Sequence, residues 1–249
     1  IDPATGATYL LGDTGRTGLT SLAFDPTRPG YLWTTSDEGA ATASYHLAEI
    51  ALSSTLNQSA ALGATNRVAL LFDAAQPGYA YDNVHAMDFA SDGTLWAVAT
   101  VVNIDPVNVA DLSPAGQYLV TINRATGVVN RMALLGVADL STLAFRGSEV
   151  WGVNPASNQL VRVNLSTGAV TPVGTLDVTG ITGMDFVGDT LYAVTTDTLY
   201  TVRLTDAGTL FIGDVGVAGM SSLASDPLDS RYLYSTVPFF GEYHLIRIT

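Results

Sequence analysis

Two short patterns recur five times along this 249-residue chain. One is an aliphatic–aromatic pair: Leu32-Trp33, Leu95-Trp96, Val150-Trp151, Leu191-Tyr192 and Leu233-Tyr234. The other comes seven to ten residues earlier: Leu22-Ala23-Phe24, Met87-Asp88-Phe89, Leu143-Ala144-Phe145, Met184-Asp185-Phe186 and Leu223-Ala224-Ser225. The third unit shows what lies between and after them. Leu140–Phe145, Glu149–Asn154, Gln159–Asn164 and a segment reaching about Gly174 are short, rich in Val, Leu and Trp, and bounded by Gly, Asn, Asp or Pro. Such segments read as strands a, b, c and d of one antiparallel unit. No stretch sustains a period of 3.6, so almost no helix is expected.

Four strands repeated at about 40–50 residues mark a β-propeller. Strand a starts near Leu19, Val84, Leu140, Ile181 and Met220, at spacings of 65, 56, 41 and 39 residues. The expected fold is therefore all-β: one five-bladed propeller domain over residues 1–249, with insertions in its first two blades. Ile1–Gly6 matches Ile122–Gly127, a c-to-d turn, so Thr8–Gly12 is expected to be a d strand. The chain ends on a c strand, Leu245–Ile248, leaving the last blade without an outer strand of its own. The N-terminal strand can fill that place and remove an open sheet edge. Ile1 and Ile248 then compete for nearly one slot, and a residue or two at one end should be loose. The recurrent b-strand aromatics read as packing between sheets.

Composition narrows the function classes. The net charge is −13, all ten bases are arginine, and a surface this negative repels nucleic acid and anionic lipid. Apolar residues make up 47% of the chain, yet no run approaches the roughly 18 residues of a membrane helix. There is no cysteine, which excludes disulfides, thiolate metal sites and a thiol nucleophile. Low charge and abundant Gly, Thr and Ser suggest an exported bacterial protein, secreted, periplasmic or at the cell surface. A monomer is expected.

Turns such as Ile1-Asp2-Pro3-Ala4-Thr5-Gly6 and Asn164-Leu165-Ser166-Thr167-Gly168, with Leu-Tyr/Trp b strands, resemble exported bacterial repeat propellers. The chain is similar in style to the NHL, YVTN and SMP-30-like superfamily. That resemblance implies the fold and leaves enzyme, binding module and scaffold open.

Function is sought where the repeat breaks. Two insertions fall on loops that build one mouth of the central channel. Asp73–Asn83 carries Tyr81, Asp82 and Asn83, and Val102–Gly116 joins b to c in the same blade. A third, Ala51–Thr65, falls on the opposite face and reads as decoration or a partner contact. His85 occupies a slot that is Thr20, Ser141, Thr182 and Ser221 elsewhere. It reads as a space-filling residue bonded to a neighbouring loop, or as a proton carrier, metal ligand or ligand hydrogen-bonder. Asp88 and Asp185 replace the alanines Ala23, Ala144 and Ala224. Each could cap amides of an adjacent blade, contribute oxygens to a structural Ca²⁺, or act as one of two glycosidase carboxyls. The b–c loops add Asp37 and Glu38 in blade 1 and Phe239, Phe240 and Glu242 in blade 5. His46 and His244 occupy matching positions and read as structural. The sequons at Asn57 and Asn164 are short enough to arise by chance.

The leading expectation is a non-catalytic recognition or scaffold module that binds a glycan or a protein at the channel mouth and needs no cofactor. Its site would comprise Asp37, Tyr81, Asp82, Asn83, His85, Phe239, Phe240 and Glu242. A carboxylate-dependent carbohydrate hydrolase or lyase is the alternative, with Asp88, Asp185, Glu38 or Glu242 as acid, base or nucleophile and His85 assisting. A purely structural surface or adhesin domain is the third reading.

Overall fold

The structure, a computed structural model, describes residues 6–14, 16–37, 45–52, 66–73, 79–103, 116–239 and 241–249. Every regular element in them is a strand. Strand β1 (Thr8–Asp13) comes first and belongs to the last blade. Blade 1 is β2 (Leu19–Phe24), β3 (Tyr31–Asp37), β4 (Tyr45–Ala51) and β5 (Asn66–Leu70). A two-residue link, β6 (Phe72–Asp73), leads to blade 2: β7 (Tyr79–Phe89), β8 (Leu95–Asn103), β9 (Gln117–Ile122) and β10 (Val128–Leu134). Blade 3 is β11 (Ala144–Arg146), β12 (Glu149–Asn154), β13 (Gln159–Val163) and β14 (Val170–Thr175). Blade 4 is β15 (Gly183–Val187), β16 (Thr190–Val194), β17 (Thr198–Val202) and β18 (Thr209–Asp214). Blade 5 is β19 (Ala224–Ser225), β20 (Leu233–Phe239), β21 (Glu242–Ile248) and the returning β1.

The innermost strands touch in the order β2, β7, β11, β15, β19 and back to β2, so the five blades close a ring. Closure is made by β1 against β21, with Thr8 opposite Ile248, Tyr9 opposite Arg247 and Leu10 opposite Ile246. The backbone N–H of Thr249 extends this pairing by donating to the Ala7 carbonyl at 2.9 Å. Ile1 lies outside the described residues.

The repeated pair fills the layers between blades. Trp33, Trp151, Tyr192 and Tyr234 are buried, and Trp96 is half-buried against the cluster between blades 2 and 3. The edge-to-face contact of Trp151 with Phe186, at 6.5 Å between centroids, joins blades 3 and 4. The c-to-d turns of blades 2 and 3 share one local cause. Asn123 and Asn164 each accept two backbone N–H groups from the residues ahead through Oδ1. Gly168 then takes φ +70°, and a Cβ there would lie 2.2 Å from the Leu134 carbonyl oxygen of the preceding blade.

Strand a is shorter than expected in blade 3, where regular pairing begins at Ala144 rather than Leu140. The Thr142 hydroxyl accepts the N–H of Val153, taking the place of a backbone carbonyl and interrupting the ladder. In blade 2 the difference runs the other way. Tyr79–Asn83 and Val102–Asn103, expected within insertions, pair as extensions of β7 and β8.

Candidate functional site

The upper face carries the starts of the inner strands and the b–c connections; the lower face carries the a–b and c–d turns. The channel is lined along strand a by the five residues of the His85 slot, Thr20, His85, Ser141, Thr182 and Ser221, and by the two residues after each. Its open volume is about 20 Å³, room for a water or two and no sugar ring.

His85 stands on β7 at the upper end. Its Nε2 lies 2.8 Å from the Thr100 hydroxyl on β8, and its Nδ1 lies 3.4 Å from Asn83 Nδ2. Asn83 Oδ1 in turn accepts the Tyr45 hydroxyl of blade 1 at 3.3 Å. An amide NH₂ only donates, so Nδ1 of His85 accepts and Nε2 carries the proton that Thr100 receives. Burial holds the imidazole below its usual pKa, against a smaller opposing pull from Asp139. His85 is thus a neutral imidazole in a chain of hydrogen bonds that spans two blades. Asp139 is held nearby by Gln117, whose Nε2 donates to it at 3.0 Å and whose Oε1 accepts the Leu140 N–H.

The other expected upper-face residues divide. Asp37 ends β3 half-buried, its N–H bonded to the Gly18 carbonyl. Phe239 is 54% exposed at the end of β20, its ring edge-to-face with His244 at 5.5 Å. Glu242 is exposed, and a hydrogen bond shared with Asp13 raises its carboxyl pKa. Tyr81 is a correction: expected at the mouth, it is 1% exposed and packs in the core between blades 1 and 2, where its ring reaches no solvent-borne ligand. Glu38, Phe240 and the side chain of Asp82 lie outside the described residues, as do Asn57 and most of the three insertions.

Asp88 and Asp185 are at the other end. Asp88 is three residues beyond His85 on β7, about 10 Å further along the strand. Asp88 Oδ1 accepts the N–H of Phe89 at 2.7 Å, and Oδ2 accepts that of Phe145 in blade 3 at 2.8 Å. Asp185 repeats the arrangement, taking Phe186 N–H at 2.7 Å and Ser225 N–H of blade 5 at 2.6 Å. Each carboxylate therefore fastens its blade to the next. Both line a lower-mouth cavity of about 120 Å³ bordered by Phe24, Phe89, Phe145 and Phe186. Burial, then repulsion by Asp185, pushes the Asp88 carboxyl well up; burial raises Asp185 to about 6. The fold thus separates the two aspartates from His85. Nor do they suit Ca²⁺, which takes six to eight oxygens. The four carboxylate oxygens already accept amides, the neighbours are largely apolar, and among the described residues no three His, Asp or Glu side chains form a metal-holding group.

One buried constellation was not anticipated. Asp25 of blade 1, fully buried, accepts Thr27 N–H and hydroxyl, Arg28 N–H, Trp33 Nε1–H and the guanidinium of Arg124 from blade 2. Burial pushes its carboxyl up, but the bonds from Thr27 and Trp33 and the Arg124 charge outweigh it, and the pKa is lowered.

Residues 8–211 match a family described as "Repeat of unknown function (DUF6923)". The chain belongs to this family. No curated protein sequence matches it. Solved structures share its shape at low identity. The PQQ-bound aldose sugar dehydrogenase of Streptomyces coelicolor is 12% identical, with a TM-score of 0.56 over 95% of this chain and 83% of that one. A gluconolactonase from Xanthomonas campestris is 13% identical, with a TM-score of 0.55 over 97% and 89%. The glutaminyl cyclase of Myxococcus xanthus is 11% identical, with a TM-score of 0.54 over 97% and 96%. At these identities the likeness carries the fold alone.

Proposed function

We propose that this chain is a non-catalytic recognition module that engages a protein partner through the upper face of blades 5, 1 and 2. The observation behind this reading is the division of labour between the two ends of the channel. The carboxylates that a hydrolase would need are occupied as ties between blades at the lower end. The upper end holds groups suited to recognition: exposed Phe239, the Asp13–Glu242 carboxyl pair, and the fixed Tyr45–Asn83–His85–Thr100 chain. A channel of about 20 Å³ favours contact across the rim over entry of a ligand. An exposed aromatic beside carboxylates suits a partner offering an apolar or guanidinium anchor. Location outside the cytoplasm belongs to this reading on compositional grounds.

The catalytic alternative draws on one specific observation, the mutually repelling Asp88–Asp185 pair beside a cavity, with Asp185 raised to about 6. Paired carboxyls driven apart in pKa are what acid–base hydrolysis employs. The two readings part in one experiment. An array of surface and secreted proteins and of polysaccharides is scored for both binding and cleavage. Wild type is compared with Phe239→Ser, His85→Ala and Asp88→Asn. Protein binding weakened at least tenfold by Phe239→Ser and unchanged by Asp88→Asn supports recognition. Polysaccharide cleavage abolished by Asp88→Asn overturns it.

A further inference from the structure

A further cavity is remote from both channel mouths. It is a groove of about 640 Å³ between blades 1 and 2, open at the lower outer side. Its blade 1 wall carries Arg28 and Glu49; its blade 2 wall carries Thr94, Arg124 and Asn130; Trp33 lies at its base. That volume is within the range of small-molecule sites.

Both guanidiniums are held before any ligand arrives. Arg28 pairs with Glu49 and lies 4.1 Å over the Tyr31 ring. Arg124 pairs with Asp25 and lies 5.2 Å over the Phe89 ring. The bonds of Arg124 leave from NH1 alone, to Asp25 and Thr27, so Nε and NH2 retain their donors among the described residues. Among the described residues Glu49 binds Arg28 through Oε2, which leaves Oε1 to accept. The site thus offers planar donor forks and a carboxylate acceptor already held in place, together with the Asn130 amide and the Thr94 hydroxyl, and ordering the charged groups costs a ligand little. Among the described residues, two guanidiniums against Asp25 and Glu49 balance the charge of the groove, inside a chain of net charge −13. A neutral ligand fits this balance better than an ion of either sign.

We infer that this groove binds a neutral mono- or disaccharide, whose adjacent hydroxyls both donate and accept and so match alternating guanidinium, carboxylate and amide groups. The site is independent of the upper face.

Saturation-transfer NMR with a panel of neutral mono- and disaccharides tests this, using wild type, Asn130→Trp, Thr94→Trp and His85→Ala. Asn130 is exposed on β10, so filling the groove from there leaves the core untouched. The expected result is binding by wild type and His85→Ala, with Kd raised at least tenfold in both tryptophan variants. Circular dichroism confirms that these remain folded; if Thr94→Trp does not, Asn130→Trp decides alone. No saccharide bound by wild type at millimolar concentration, equal binding by Asn130→Trp, or loss of binding in His85→Ala would overturn the assignment.

Discussion

Asp88 Oδ2 accepts the backbone N–H of Phe145 at 2.8 Å, and through that bond blade 2 holds blade 3. Asp185 does the same for Ser225 two blades on. The other inner strands carry alanine in this slot. The two ties stabilise the ring through hydrogen bonds, yet weaken it through burial and mutual repulsion.

Replacing either aspartate by alanine leaves a shielded amide without its acceptor, at a cost of about 1–3 kcal/mol. The pair should not be additive. Each single change also relieves the repulsion, whereas the double change relieves it only once. Asp88→Ala/Asp185→Ala should therefore be less stable than the sum of the singles at alkaline pH, by about 0.5–3 kcal/mol. Urea unfolding of the four proteins measures this, and the excess should shrink at pH 5, where protonation has already removed the repulsion.

The pH dependence has a definite sign. The Asp185 pKa is raised to about 6 in the fold, above its unfolded value near 3.8. Its contribution to stability is fully present below about pH 4 and is lost as pH rises through 6. Asp88, also raised, extends the loss to higher pH. The difference in unfolding free energy between wild type and Asp185→Asn should fall between pH 4 and 7; carboxylates elsewhere cancel in that difference.

Asp25 is opposite in sign, with a lowered pKa and five donors around a buried carboxylate. Asp25→Ala leaves Arg124 without its partner and Trp33 Nε1–H without an acceptor. A loss of about 1–3 kcal/mol is expected, chiefly from the shielded donors left without an acceptor, since the partly exposed Arg124 can turn to solvent. Denaturant midpoints of Asp25→Ala and Arg124→Ala check it, and Asp25→Ala should be the more severe.

His85 should titrate below the ordinary histidine value, because burial disfavours its cation. Its stability contribution is present above the unfolded pKa and declines as pH falls. Imidazole ¹⁵N shifts should show the proton on Nε2 at neutral pH. Asn83→Ala, which removes the amide donor at Nδ1, should weaken that preference.

The ring was readable because its signals are local and repeated. Strand β12 matches the expected Glu149–Asn154 residue for residue, and β1 completes blade 5 where the Ile1–Gly6 turn homology placed it. Strand a was read too long in blade 3 because Leu140–Leu143 has strand composition, while the Thr142 hydroxyl displaces a ladder carbonyl. At the site, His85, Asp88 and Asp185 were visible as breaks in shared slots. Tyr45 and Thr100 were not, since their partners come from other strands or blades. Arg124 meets Asp25 across 99 positions, and no spacing in the chain announces that pair. Tyr81 was misplaced because an aromatic in an insertion reads as a surface residue, whereas β7 continues through it and turns it inward.

On the proposed reading, the lower aspartates serve the ring and the upper face serves recognition. The most direct measurement is the affinity for the array-identified protein partner of wild type, Phe239→Ser and the Asp88→Ala/Asp185→Ala double variant, each under conditions where it is folded. A Kd at least tenfold weaker in Phe239→Ser, with the double variant within twofold of wild type, is the predicted result. Unchanged binding by Phe239→Ser together with its loss in the double variant would contradict the account.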